Sequence, residues 1–233
     1  MLSTKADKIC VAYDGMERFF PADKIMMTGN PVRQNIVNAE ISHEDAVKQF
    51  GLDPEKKTIL IVGGSLGART VNESVLAHLK EIKESGVQFI WQTGKYYHES
   101  IMQKMASHND MPMLKVMDFI SDMGAAYKAA DLVISRAGAS SISEFCLIGK
   151  PVILVPSPNV AEDHQTKNAM ALVNKSAAIY VKDAEAPNSL LQLAVDTVKD
   201  DEQLAQLADN IKKLGKPNSA DIIADEVLKI ANK

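Results

Sequence analysis

Two stretches of small residues have the composition of loops that bind phosphate. The first is Gly-Gly-Ser-Leu-Gly-Ala-Arg at 63–69, and the second is Ser-Arg-Ala-Gly-Ala-Ser-Ser-Ile-Ser-Glu at 135–144. Each follows an apolar run and precedes a helical pattern. Small residues expose the backbone amides of a helix N-terminus, and these amides and the helix dipole attract anions. The alternative for the first stretch is a tight turn without a ligand, since it matches neither a Walker A loop nor a full dinucleotide fingerprint.

The second stretch ends in a carboxylate that lies about one turn into the predicted helix. This residue, Glu144, could accept two hydrogen bonds from a ribose diol, as an acidic residue does in nucleotide-binding folds. The alternative is that Ser140 or Ser141 is an ordinary N-cap and that Glu144 only favours the first turn of the helix.

Three further stretches carry side chains suited to parts of a nucleotide sugar. In Gly-Asn-Pro-Val-Arg at 29–33, Pro31 stiffens the turn and Arg33 presents a fork of donors, although a lone arginine is often a solvated charge. Asp-Phe-Ile-Ser-Asp-Met at 118–123 could flank a flat base, although such apolar residues are often core.

The fifth stretch is a polar helix start, Ala-Glu-Asp-His-Gln-Thr-Lys-Asn-Ala at 161–169. Gln165 and Asn168 are three residues apart and share a helical face, and their amides suit sugar hydroxyls. The alternative is an ordinary polar first turn, with His164 structural. Taken together, the five stretches predict a site for a nucleoside diphosphate sugar.

The elements that must position these stretches alternate between strands and helices. Continuously apolar strands indicate a parallel sheet that is covered on both faces, and the alternation predicts a doubly wound α/β sheet. Strands are predicted at 9–13, 25–28, 59–62, 87–90, 114–118, 131–135, 152–155 and 177–181, and helices at 66–84, 97–106, 122–130, 140–148, 162–175 and 202–214. A last helix has an apolar stripe of Ile222, Ile223, Val227 and Ile230.

Composition excludes several classes of protein. The 233 residues are 46% hydrophobic, which favours a packed core over disorder. A net charge of −4 argues against a nucleic-acid binder. Cys10 and Cys146 are far apart, which argues against a disulfide scaffold and a zinc site and favours a reducing cytoplasm. Without an Asp-x-Asp pair, helix ends and amides would offset the diphosphate charge with no metal or other cofactor.

The five stretches, in this order, resemble the C-terminal donor-binding half of the bacterial MurG transferases. This family moves N-acetylglucosamine from UDP onto lipid I to form lipid II in peptidoglycan synthesis. The resemblance implies a GT-B fold, in which two Rossmann-like domains flank the cleft, an inverting reaction, and a peripheral location on the cytoplasmic face of the membrane. The implied partners are UDP-N-acetylglucosamine and lipid I.

The resemblance also implies roles for individual residues. Ile120 would meet uracil through its backbone, Glu144 would bind the ribose, and Arg33 would lie near the nucleotide. Three residues would face the N-acetylglucosamine, and a further set would hold the diphosphate. The sugar set is His164, Gln165 and Asn168, and the diphosphate set is Gly64 and Ser65 with the amides of Ala139, Ser140 and Ser141.

Most of the acceptor domain of the resembled family is expected to be missing from this sequence. Residues 1–28 are expected to be its last part and the crossover, and residues 29–233 the donor-binding domain. The catalytic base is expected in the absent domain, so this chain should bind donor but transfer poorly. The alternatives are a stand-alone binding subunit with a membrane-bound acceptor subunit, or a GT-B UDP-N-acetylglucosamine 2-epimerase. An NAD-dependent oxidoreductase is disfavoured by the incomplete fingerprint.

Overall fold

The computed structural model describes residues 3–13, 15–108, 110–160 and 163–232. All of the predicted strands are present, each within about two residues of its predicted bounds. The strands are β1 (Ile9–Val11), β2 (Ile25–Met27), β3 (Thr58–Val62), β4 (Gln88–Gln92), β5 (Leu114–Met117), β6 (Leu132–Ser135), β7 (Val152–Leu154) and β8 (Ile179–Tyr180).

The predicted helices are present with one break, and three further helices among the described residues, at 34–37, 43–49 and 186–199, lie outside the predicted ranges. The helix predicted at 66–84 is two helices, because His78 leaves the helical region at φ −122° and ψ 30°. The helices are α1 (Gln34–Val37), α2 (His43–Gln49), α3 (Arg69–Ala77), α4 (Leu79–Glu84), α5 (His98–Met105), α6 (Met123–Ala129), α7 (Ala139–Ile148), α8 (His164–Val173), α9 (Ala186–Lys199), α10 (Asp201–Lys212) and α11 (Ser219–Ala231).

Six strands form one parallel sheet in the order β5-β4-β3-β6-β7-β8. This is the doubly wound order, and it confirms the predicted α/β fold. Strand β3 is buried at every position, and its side chains alternate between two cores. Ile59 and Ile61 pack with helices α3 and α9, whereas Leu60 and Val62 pack with α6 and α7. Burial on both faces explains why the strand is continuously apolar.

Strands β1 and β2 form a separate two-stranded parallel sheet. The backbone amides of Thr28 and Gly29 continue this pairing by donating to the carbonyl of Val11. The following turn is fixed to a helix of the larger unit, α7, because the Asn30 side-chain amide donates to Ser143 Oγ at 3.1 Å.

The apolar stripe predicted for the last helix does not reach the core. In α11, Ile222 is 40% exposed and Val227 is 59% exposed, and only Ser219 is buried. No helix among the described residues is long and apolar enough to cross a membrane.

Candidate functional site

The strand order reverses between β3 and β6, and the loops after these two strands diverge there. Such a reversal opens a crevice at the carboxyl ends of the strands, where ligands of open α/β sheets bind. Two adjoining cavities occupy the crevice, one of about 750 Å³ and one of about 230 Å³. Gly64, Ser135 and Ser141 line both of them.

The glycine-rich loop joins β3 to α3 at the floor of this crevice. Gly64 and Gly67 have φ of +87° and +88°, a region that favours glycine. A Cβ on Gly67 would lie 2.1 Å from the carbonyl oxygen of Thr93, so only glycine permits this contact between the loops after β3 and β4. No side chain caps the N-terminus of α3. Its amides therefore remain open to a ligand, and Ser65 lines the smaller cavity.

The loop after β6 leads into α7 in the same way. The N-cap of α7 is Gly138, and no side chain caps the helix. The alternative that Ser140 or Ser141 serves as an ordinary N-cap is therefore wrong. Ala139, Ser140 and Ser141 form the first turn, so their amides are free of helical partners.

Glu144 lies beyond that first turn, and its carboxylate borders the smaller cavity. The Tyr127 hydroxyl donates to Glu144 Oε2 at 2.9 Å, and Arg33 Nη2 lies 3.6 Å from Oε1. The Glu144 side chain is 12% exposed and that of Arg33 is 61% exposed. Burial, and then the neighbouring Glu144 charge, raise the pKa of Tyr127, so this hydroxyl remains a donor. Arg33 therefore lies beside Glu144 at the smaller cavity, and its expected place near the nucleotide stays a prediction.

The loop at 118–123 borders the smaller cavity from the other side. Ile120 is only 2% exposed and belongs to the core, while Phe119 is 45% exposed, and both residues line the smaller cavity. The Ile120 amide donates to Gln92 Oε1 at 3.1 Å. Gln92 Nε2 in turn donates to the carbonyl of Gly64 at 3.1 Å. Sequence analysis missed Gln92, because it lies inside a predicted strand and matches no motif.

The polar helix start is only partly at the crevice. Gln165 lines the larger cavity, and its Oε1 accepts from the Ser157 amide at 2.9 Å. Asn168 Nδ2 instead donates to the carbonyl of Ala137 at 3.1 Å, and Asn168 lines neither cavity. His164 is exposed at the start of α8 and also lines neither cavity. Two residues of this stretch, 161 and 162, lie outside the described residues.

The site geometry agrees with the comparison to a known family. The profile of the glycosyltransferase family 28 C-terminal domain matches residues 58–223. The chain belongs to this family. All the loops described above except 29–33 lie within the matched range, so the crevice is a feature of a family 28 C-terminal domain.

Two curated relatives of this family 28 domain carry the same name, UDP-N-acetylglucosamine–N-acetylmuramyl-(pentapeptide) pyrophosphoryl-undecaprenol N-acetylglucosamine transferase. The protein from Phocaeicola vulgatus is 66% identical over 233 residues, which are 100% of this chain and 62% of the relative. The protein from Bacteroides fragilis is 63% identical over 234 residues, with the same coverage of 100% and 62%. The chain thus spans less than two thirds of the length of these relatives.

Solved structures agree with this assignment. Acinetobacter baumannii MurG has a TM-score of 0.71 and 29% identity, covering 98% of this chain and 62% of that one. This likeness confirms the predicted resemblance to the C-terminal half of MurG. A putative UDP-N-acetylglucosamine 2-epimerase from Listeria monocytogenes has a TM-score of 0.62 at 14% identity, covering 94% of this chain and 57% of that one. That likeness shows the shared fold alone.

A partly buried ion pair braces the crevice of this family 28 domain. Arg136 Nη1 pairs with Asp183 and donates to the carbonyls of Val155 at 3.0 Å and Pro156 at 3.2 Å. The Thr70 hydroxyl donates to the other carboxylate oxygen of Asp183 at 2.9 Å. The brace ties the loops after β6, β7 and β8 to α3. Sequence analysis gave Arg136 no role and missed Asp183, which lies far from every motif.

Within the described ranges, no cluster of three or more His, Cys, Asp or Glu side chains is placed to hold a metal ion. Helix N-termini, hydroxyls and Arg side chains lie at the crevice together with two carboxylates, those of Asp183 and Glu144.

Proposed function

We propose that this family 28 domain binds UDP-N-acetylglucosamine, as the donor half of a transferase that converts lipid I to lipid II in peptidoglycan synthesis. The names of relatives at 66% and 63% identity support this proposal. The structural observation that carries it is that the N-termini of α3 and α7, neither capped by a side chain, meet at one crevice beside a shielded carboxylate, Glu144.

The diphosphate binds between these two helix N-termini. The amides of Ala139, Ser140 and Ser141, the glycine loop at Gly64 and the Ser65 hydroxyl supply donors. Each helix end carries roughly half a positive charge, so the pair offsets much of the diphosphate charge without a cation. These hydrogen-bond donors are already oriented by the fold. They therefore need little reorganisation when negative charge builds up on the leaving UDP.

The uridine occupies the smaller cavity. Glu144 accepts hydrogen bonds from the ribose hydroxyls, while Tyr127 and Arg33 hold its carboxylate in place. The carbonyl of Ile120 accepts from the uracil N3–H, because the Ile120 amide already donates to Gln92. A carbonyl at this position favours uracil over cytosine, whose N3 is an acceptor.

The N-acetylglucosamine extends into the larger cavity, where Gln165 lies. His164 contributes from the exposed start of the same helix. Asn168 contributes by positioning, since its amide holds the loop that precedes α7 through Ala137.

The reaction is an inverting displacement at the anomeric carbon. The acceptor hydroxyl oxygen forms a bond to C1, the bond from C1 to the UDP oxygen breaks, and the hydroxyl proton passes to a base. We assign that base to the acceptor domain that precedes this one in the relatives. Residues 1–28 then belong to the end of the acceptor domain and the crossover, and residues 29–233 form the donor domain. The whole enzyme acts at the cytoplasmic face of the membrane as a peripheral protein.

Replacing Glu144 tests the proposed site. We expect Glu144→Gln to weaken UDP binding by about 1–3 kcal/mol, because the ribose hydroxyls lose a charged acceptor. Binding of 2′,3′-dideoxy-UDP should change little, because that ligand lacks both hydroxyls. Isothermal titration calorimetry measures both. Glu44→Gln, at an exposed carboxylate paired with Lys48, is the matched control. Equal losses for the two ligands would remove Glu144 from the ribose site.

A further inference from the structure

A third cavity lies on the other side of α7 from the proposed donor site. It has a volume of about 470 Å³ and lies between the β1–β2 sheet, the turn at 29–30, helices α7 and α8, and residues 213–216 after α10. We call it the linker cavity. None of its described lining residues lines either donor cavity. Along α7, Ile142 and Cys146 face the linker cavity, whereas Ser141 and Glu144 face the donor site.

The mouth of the linker cavity is positively charged. Lys175, Lys213 and Lys216 line it, and all three are exposed. No acidic side chain is among the described residues that line it. The three ammonium groups come from two segments, Lys175 from the chain just after α8 and the other two from the chain after α10, so the fold brings the two segments together. This arrangement attracts an anion.

Apolar side chains line part of the linker cavity, together with the polar side chains of Asn30, Ser143 and Asn174. Ile142 and Leu172 are 2% and 3% exposed, and Cys146 is 5% exposed. Burial raises the pKa of the Cys146 thiol to about 11, so it remains neutral. These side chains form a surface suited to a hydrocarbon body.

Tyr13 also lines the cavity, and its hydroxyl differs from these polar groups. This hydroxyl is buried yet has no hydrogen-bond partner. No other side-chain nitrogen or oxygen among the described residues is buried without a partner. Buried polar groups are nearly always paired, so an orphan in a cavity wall indicates a missing acceptor. Burial, and then the nearby Cys146, raise the pKa of Tyr13 to about 12, so the hydroxyl is a donor at physiological pH.

We propose that the linker cavity binds a small amphiphilic acid. Its acidic head group accepts the hydrogen bond of Tyr13 and is neutralised by the three lysines, and its short apolar body packs on Ile142 and Leu172. The volume is in the range of pockets for free small molecules, roughly 300–1,000 Å³, which favours a free ligand over a membrane surface. This proposal does not depend on the function of the donor site.

Decanoate, below its micellar concentration, is the probe, and 1-decanol is the matched neutral ligand. We expect decanoate to bind the 233-residue chain with 1:1 stoichiometry in calorimetry, and decanol to bind about tenfold more weakly because it lacks the charge. Saturating UDP should leave the decanoate affinity unchanged, which separates this site from the donor crevice.

Two sets of variants test the assigned residues. The triple variant Lys175→Ala, Lys213→Ala and Lys216→Ala should weaken decanoate binding about tenfold. The control triple Lys80→Ala, Lys104→Ala and Lys199→Ala, at exposed lysines elsewhere, should not. Tyr13→Phe should weaken binding severalfold without lowering the melting temperature, because the hydroxyl it removes has no partner in the protein.

Four results would overturn the proposal. They are no binding of decanoate at millimolar concentration, equal affinity for decanol, an unchanged affinity in the triple variant of the cavity lysines, and displacement by UDP. Binding to anionic phosphatidylglycerol vesicles that the same triple variant abolishes, with no binding of monomeric decanoate, would assign the lysines to a membrane surface and would equally refute it.

Discussion

At the residue scale, the candidate site depends on how one carboxylate is held. Glu144 is mostly shielded from water, and its two oxygens face different partners, Tyr127 and Arg33. Each oxygen retains a lone pair for a ligand. The sequence alone predicts the position of Glu144 near a helix start, but it does not predict Tyr127, because that contact joins α6 to α7 across the fold.

Lys150 gives a residue-scale prediction about pH. Burial lowers the pKa of Lys150 to about 8, against 10.5 for an unperturbed lysine, and its Nζ donates to the carbonyl of Ala130 at 2.6 Å. Between these two values the unfolded chain binds more protons than the folded chain, so the contribution of Lys150 to stability rises with pH. Below pH 8 both states are protonated, and the penalty of the buried ammonium remains constant.

The free energy of unfolding of the wild type should therefore rise relative to that of Lys150→Met between pH 8 and 10, by on the order of 1–3 kcal/mol. Urea titrations of both proteins at several pH values measure this difference in the free energy of unfolding. The contributions of the other titrating groups cancel in the difference. Lys104→Met, at an exposed lysine, should show no such trend. A difference that falls or stays flat would contradict the lowered pKa.

At the element scale, one strand connects two loops of the site. Gln92 ends β4 and is 4% exposed, and its amide joins the Gly64 carbonyl to the Ile120 amide. These loops follow β3 and β5, the two neighbours of β4 in the sheet. The Gln92 side chain, which also lines the smaller cavity, thus fixes the spacing between the proposed diphosphate and uracil sites.

We expect Gln92→Met to lower stability by about 1–3 kcal/mol, because it leaves buried backbone groups unpaired, and also to weaken UDP binding severalfold. Gln88→Met is the matched control, since Gln88 lies at the other end of β4 and pairs with the backbone of Asp53. It should cost similar stability and leave UDP affinity unchanged. Chemical denaturation and calorimetry separate the two effects. If both variants weaken UDP binding equally, Gln92 has no positioning role.

At the scale of the whole molecule, the sheet order determines which helix N-termini lie at the crevice. The reversal between β3 and β6 places the starts of α3 and α7 at the same crevice. The positive ends of two helix dipoles therefore lie at the same crevice, and their attractions for an anion add together.

Because we propose that helix ends and amides offset the diphosphate charge, we expect UDP to bind equally well with and without metal. The dissociation constants measured in excess chelator and in millimolar Mg²⁺ should agree within about twofold. Calorimetry on the 233-residue chain makes the comparison directly. Loss of binding in chelator would show that a cation takes part.

A second prediction at this scale concerns transfer. The chain spans 62% of the length of its curated relatives, and we place the acceptor site and base in the remainder. We expect the chain alone to form lipid II at least about a hundredfold more slowly than the full-length relative from Phocaeicola vulgatus, since general base catalysis alone contributes that much. A radiolabelled donor assay tests this. Comparable rates would place the base within this chain.

The sequence by itself determined the elements and most of the loops of the site. The apolar pattern of β3 and the small residues at 63–69 and 135–144 are local features, because strand period, turn geometry and helix starts depend on neighbouring residues.

Only the tertiary structure decided which side chains meet. Gln92 and Tyr127 act through partners 17–28 residues away, and Asp183 through partners 47 and 113 away. The same is true of α11, whose apolar stripe is periodic in sequence yet exposed in the fold. Local sequence patterns predict the secondary structure of a segment, because it depends mainly on neighbouring residues. Contacts between distant segments form only when the sheet order brings those segments together.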